Sequence, residues 1–220
     1  MVIRKNYAQE LEALHNHLTE LGSAAKRSVH KAITAYINRD PELAHELFSD
    51  DLRINASTAD IEKEAHRIIA LQQPVASDLR MLFAVLHISL DLERIADHAV
   101  SIARAVLRRN PEEEDVESIT NNLREMANLA EAMIEAALNA YIAKDASAAR
   151  KIAAEDEKMD AWLKEIYRDS AKHMQKNPDI ILTGISYIGI SNNLERIGDY
   201  VTNICERVVF LNTGEIIELN

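Results

Sequence analysis

The chain has one cysteine, five glycines and four prolines in 220 residues. A single thiol cannot build an internal disulfide framework, which fits a reducing compartment. So few glycines and prolines leave too little turn chemistry for a sheet-rich fold. Aromatics are scarce, with three Phe and one Trp. Positive charge is in deficit: 25 Lys and Arg face 36 Asp and Glu, a formal net charge of −11. A general nucleic-acid binder needs a basic stripe to neutralise phosphates, so the composition argues against that class. Long hydrophobic runs are missing as well. The most weakly polar stretch, residues 180–191, is too short to span a bilayer. The opening residues MVIRKNYAQELEALHNHLTE turn polar at once and show no secretory signal. Gly184 and Gly189 are not followed by Lys-Ser/Thr, so no P-loop is visible, and no G-x-G-x-x-G occurs. A soluble, cytoplasmic chain that does not grip nucleotides in a glycine-rich loop is the expectation.

What the chain does contain points to helices. Hydrophobic residues make up 47%, enough to fill a core, and Ala, Leu, Ile, Glu and Arg are abundant. Asp40-Pro41-Glu42 reads as an N-cap, a proline at the first helical position and an acid in the first turn. Further breaks fall at Gln73-Pro74, at Asn110-Pro111, at Asp145 and at Asn177-Pro178, and Gly214 ends the last run. Six helices follow, near 7–38, 41–72, 75–109, 116–143, 146–176 and 179–211, each roughly 45 Å long. Leu47, Ile54, Ile61 and Ile68 recur every seven residues, as do Ile152, Met159 and Ile166. Leu194, Ile197, Val201, Ile204, Val208 and Leu211 alternate spacings of three and four. Such seams need partner helices, and short connections make neighbours antiparallel. The chain also repeats itself: AYINRD (35–40) matches AYIAKD (140–145), and LERIADHAVSI (92–102) matches LERIGDYVTNI (194–204). The pattern predicts an all-α fold of two tandem, similar three-helix antiparallel bundles, residues 1–110 and 111–220.

The repeated block carries Glu93 and Asp97 in one half and Glu195 and Asp199 in the other. Residues four apart share a helix face, so each pair aims two carboxylates one way. Singly this describes many solvated faces. Folding helices two and three back about residue 73 brings Glu93 and Asp97 level with Asp51 and Asn55. The same operation about residue 177 brings Glu195 and Asp199 level with Asp160 and Asp156. Asp51 and Asp156 also continue the apolar seams of their helices, where a carboxylate is costly unless paired or metal-bound. Salt bridges from Lys158, Arg94 and Arg196 are one way to balance the charge. A bound hard cation on all-oxygen ligands is the other, and residue chemistry leaves both open. The Glu-x-x-His pairs Glu12/His15 and Glu42/His45 fall at opposite ends of the bundle and cannot share a di-iron centre. Cys205 and Trp162 read as packing residues, and His98 as a residue just outside the first acidic pair.

LQQPVASDLR (71–80), SLDLERIADHA (89–99) and NNLERIGDYVTNICERVVFL (192–211) together resemble the PhoU family of phosphate-uptake regulators. The likeness covers nearly the whole chain. It implies tandem three-helix bundles that dimerise and act as a negative regulator of phosphate uptake and phosphate-starvation signalling. Its partners would be a phosphate ABC transporter subunit and a two-component sensor histidine kinase. It also implies that the acidic pairs bind iron, zinc, manganese or magnesium. Glu93, Asp97, Glu195 and Asp199 stand at the motif positions, and Asp51, Asp156 and Asp160 where the family's helix-two and helix-five acids fall. Asn55 replaces the acid matching Asp160, and Tyr200 stands where His98 stands in the first half. The first site, with three carboxylates against four, is therefore expected to hold metal more weakly. Two other readings are a metal-dependent enzyme using the carboxylate clusters and a purely structural helical scaffold.

Overall fold

The computed structural model describes residues 2–110 and 114–219, with side chains from residue 7 onward. Among these, α1 spans Val2–Asn38, α2 Pro41–Gln72, α3 Ser77–Arg108 and α4 Glu117–Ala143. They are followed by α5 (Ala146–Ala153), α6 (Asp156–Lys176) and, after a 3₁₀ turn at Pro178–Ile180, α7 (Ile181–Thr213). No strand occurs among the described residues.

Helix ends follow local chemistry. Asp40 caps α2 by accepting from the Leu43 N–H at 2.9 Å, with Pro41 at the first position. Asp145 caps α5 through the N–H groups of Ser147 and Ala148, both at 2.9 Å. Gly214 closes α7 at φ 77°, a left-handed conformation that costs glycine nothing. The expected single helix over 146–176 is broken: Ala154 and Glu155 separate α5 from α6. Both keep right-handed φ/ψ values, and the Glu155 N–H reaches Ile152 O, three residues back. The rod is tightened there rather than ended, and Asp156 follows directly. The linker residues 111–113, at the expected boundary between the halves, lie outside the described residues.

The heptad residues Leu47, Ile54, Ile61 and Ile68 are buried, as are Met159 and Ile166. Trp162 and Ile152 only half enter, packing on the edge of the core. Leu194, Ile197, Val201, Ile204 and Val208 are fully buried, and Cys205 lies among them. The two bundles pack side by side through two antiparallel helix pairs. In α1 and α4, His15 bonds Tyr141, Lys26 meets Glu135 at 2.7 Å and His30 meets Glu131 at 3.2 Å. Gly22 makes the approach possible, since a Cβ there would lie 2.6 Å from the Leu138 methyls. In α3 and α7, His98 bonds Asn193 at 2.9 Å and Arg94 stacks over the Tyr200 ring at 5.6 Å. At the far end the Arg80 guanidinium lies against Gly214, where a cation suits the negative end of α7. α2 flanks one side of this central layer and α5–α6 the other.

Candidate carboxylate centres

The first centre lies where α2 faces α3. Asp51 is half-buried, and its Oδ1 has no hydrogen-bond partner; Asn55 Oδ1 is in the same state. The one bond between them, Asn55 Nδ2 to Asp51 Oδ2, is long at 3.4 Å. Burial first, then the charge of Asp97, pushes the Asp51 carboxyl upward, opposed by Arg104 and by the Asn55 bond. Glu93 is raised by burial and then by Asp97 and Asp51, with Arg94 opposing. Asp51, Glu93 and Asp97 therefore share one field, and Asn55 stands beside Asp51.

The second centre lies where α6 faces α7. Asp156 is pushed up to about 6, by burial first and then by Asp199, Asp160 and Glu195. Its Oδ1 is buried without a partner. Glu195 is likewise raised, by burial, then Asp199, with Asp160 also raising it and Arg196 and His98 opposing. Asp156 and Glu195 thus both feel the charges of Asp160 and Asp199. Gly198 is the residue that lets Asp156 in, because a Cβ at that position would sit 2.7 Å from Asp156 Oδ1. Its counterpart in the first repeat is Ala96. The contrast is visible in LERIAD against LERIGD, but its use depends on a close approach that only the packing reveals.

The counter-charges differ from expectation. Lys158 turns away to Glu155, and Arg94 pairs with the buried Asp91 at 3.3 Å. Arg196 does reach the cluster, at 3.2 Å from Asp199 and 3.8 Å from Glu195. Lys164, absent from the sequence reading, meets Asp160 at 3.1 Å. It stands four residues on from Asp160, an ordinary helix-surface pair. Asp91 was also missed; burial, against Arg94 and Arg207, pushes it up to about 6. His98 follows Asp97 in sequence, yet it reaches across to α7, bonding Asn193 two residues before Glu195 at 2.9 Å. It therefore stands between the two centres, tilted against the Tyr200 ring at 5.6 Å.

Oxygen-only donors, buried oxygens lacking partners and carboxyl groups raised by burial and by one another's charge fit a hard cation. As the side chains stand, no group of three His, Cys, Asp or Glu converges on a common point among the described residues. Holding an ion would require carboxylates to turn inward about their χ angles.

Tandem three-helix bundles with a Glu-x-x-x-Asp pair on the last helix of each half define the architecture. A family model described as the PhoU domain matches residues 18–106 and again 123–208. The chain is 34% identical over 218 residues to the phosphate-specific transport system accessory protein PhoU homolog of Clostridium acetobutylicum, covering 99% of each. It is 35% identical over 211 residues to the Caulobacter vibrioides protein of the same description, 96% of this chain and 91% of that one. The crystal structure of the phosphate transport system regulatory protein PhoU from Streptococcus pneumoniae superposes with a TM-score of 0.89 at 33% identity, over 96% of this chain and 99% of that one. PhoU from Pseudomonas aeruginosa gives 0.89 at 32%, over 95% and 100%. This chain belongs to the PhoU family. No helix among the described residues is long and apolar enough to cross a membrane.

Proposed function

We propose that this protein is an accessory regulator of phosphate-specific transport, an adaptor that docks a phosphate ABC transporter subunit and a two-component sensor histidine kinase. The full-length likeness to proteins named for that transport system carries the reading. Two similar bundles offer two broad helical faces, a geometry suited to bridging partners. The protein works in the cytoplasm as a homodimer and lowers phosphate uptake and starvation signalling.

In the same reading the two carboxylate centres hold iron, manganese, magnesium or zinc, which would supply positive charge to clustered carboxylates. Asp156, Asp160, Glu195 and Asp199 form the stronger set. Asp51, Glu93 and Asp97, with Asn55 supplying an amide oxygen, form the weaker one, and His98 lies between the two. The buried, partnerless oxygens of Asp51 and Asp156 support this.

The test is a Mn²⁺ titration of metal-stripped protein, followed by binding of metal-loaded protein to the isolated transporter ATPase and the kinase cytoplasmic domain. Two unequal binding steps are expected, the tighter one lost in D156N/D160N/E195Q/D199N. Equal steps would sink the ranking of the two sites, and no step at all would sink the metal reading. Failure to bind either partner with or without metal would sink the adaptor.

A further inference from the structure

Between α1 and α2 lies a cleft of about 380 Å³ whose walls carry cations. We propose that this cleft binds a phosphate-type oxyanion, gripped by Arg27 and Arg53 over an apolar floor. Leu21 and Ile54 form that floor and are buried. Arg27 and Lys31 come from α1 and Arg53 from α2, against the acids Glu20 and Asp50. The lining thus carries three cations against two acids, in a molecule whose formal charge is −11, with Glu46 a third acid bonded to Lys31.

The cations are not equally committed. Lys31 is neutralised by Asp50 at 2.8 Å and Glu46 at 2.9 Å. Asp50, so occupied, meets Arg53 only at 3.6 Å, and the Arg53 side chain is 82% exposed. Arg27 is exposed and makes no ion pair or hydrogen bond among the described residues. Two guanidinium groups on facing helices therefore keep free N–H donors beside one cleft. Guanidinium forks match the oxygens of phosphate, and two of them supply the two positive charges that balance a dianion. His17, bonded to Ser57 at 2.9 Å, adds a second nitrogen and a hydroxyl to the wall.

The repeat provides an internal control. AYINRD at 35 and AYIAKD at 140 set an offset of 105 between the halves. At that offset Arg27 and Lys31 become Ala132 and Ala136, and Ser57 becomes Trp162. The ion pair of Asp50 and Arg53 persists as Glu155 and Lys158. The scaffold therefore does not demand the α1 cations, and only the first half has the chemistry of an anion site. This inference does not rest on the partner reading and uses none of the carboxylate centres.

Arginine side-chain ¹H–¹⁵N NMR of the metal-stripped full chain, titrated with inorganic phosphate at fixed ionic strength, tests it. The Nε–H signals of Arg27 and Arg53 should shift saturably while that of the exposed Arg150 stays still. Arg27→Gln should weaken binding by about tenfold, the loss of one charge-assisted donor group, and Arg150→Gln should not. A nucleoside monophosphate binding more tightly than inorganic phosphate would identify an ester as the ligand; the reverse order would identify the free anion. No saturation, equal losses in Arg27→Gln and Arg150→Gln, or tighter binding of succinate would overturn the proposal. Stripping metal beforehand prevents phosphate from binding through an ion at the carboxylates.

Discussion

Asp156 shows how one side chain can be costly alone and useful in company. Its carboxyl sits at the entrance to the core, raised to about 6 by burial and three neighbouring acids. A raised carboxyl contributes most stability when protonated, below the unfolded value near 4, and that contribution is lost as pH rises through about 6. In metal-stripped protein, Asp156→Asn should therefore raise stability at pH 7.5 by about 1 kcal/mol, discounted for the partial exposure of the site. The gain should shrink as pH falls below about 6 and vanish near pH 3, where the group is neutral both folded and unfolded. Thermal unfolding at both pH values reads the difference, and an equal shift at both would mean that packing governs the effect, not charge. The i, i+4 spacing made the four carboxylates legible in sequence. The place of Asp156 on its apolar seam is legible too, but its close approach to α7 is not, because that depends on the absent side chain of Gly198 across the helix interface.

At the level of elements, proline, asparagine and aspartate punctuation gave the helix ends closely, since caps act through bonds within a few residues. Pro41 and Asn38 bound their helices where the sequence places them. The break at Ala154–Glu155 carries no such signal, since neither residue disfavours helix. Pro74 signals the α2–α3 break but not its backbone, in which Gln73 and Ala76 take φ values of 47° and 48°. At Ala76 ψ is −114°, a combination that suits glycine and strains a residue with a Cβ. Ala76→Gly should remove that strain and, after the extra chain entropy of glycine, stabilise the protein by about 1 kcal/mol. Chemical denaturation should show a higher midpoint at unchanged slope; a lower midpoint would mean that the loop is unstrained. The flanking Leu71 and Val75 are exposed, so their packing does not obscure the comparison.

For the whole molecule, the repeat announced two halves but not how they meet, because the contacts that join them are long-range and carry no periodicity. Gly22 against Leu138 and His98 against Asn193 are contacts that only the assembled fold defines. The chain crossing between the halves is held by Asp115, which accepts from Arg39 at 2.9 Å, from Arg109 and from the Tyr187 hydroxyl at 2.9 Å. The Tyr187 oxygen in turn accepts the Val116 N–H at 2.9 Å. Burial would raise the Asp115 carboxyl, but bonds from Arg109, Arg39 and Tyr187 outweigh it and hold the group below its ordinary value. A depressed carboxyl contributes stability above its unfolded pKa and loses it as pH falls through the folded one. Arg109 is the deeper partner, its side chain only 4% exposed and stacked over Tyr36 at 5.0 Å. Asp115→Asn removes the charge that these donors share and should cost about 2 kcal/mol at pH 7, a fall in Tm of about 4–8 °C for a chain of this size. The deficit should shrink as pH falls from about 4 through the lowered value of the native carboxyl. Because the halves share the α3–α7 and α1–α4 contacts, unfolding should stay a single transition in the variant. Calorimetry that resolved two transitions would show that Asp115, rather than the helix faces, joins the halves; an unchanged Tm would show that the crossing bears no load.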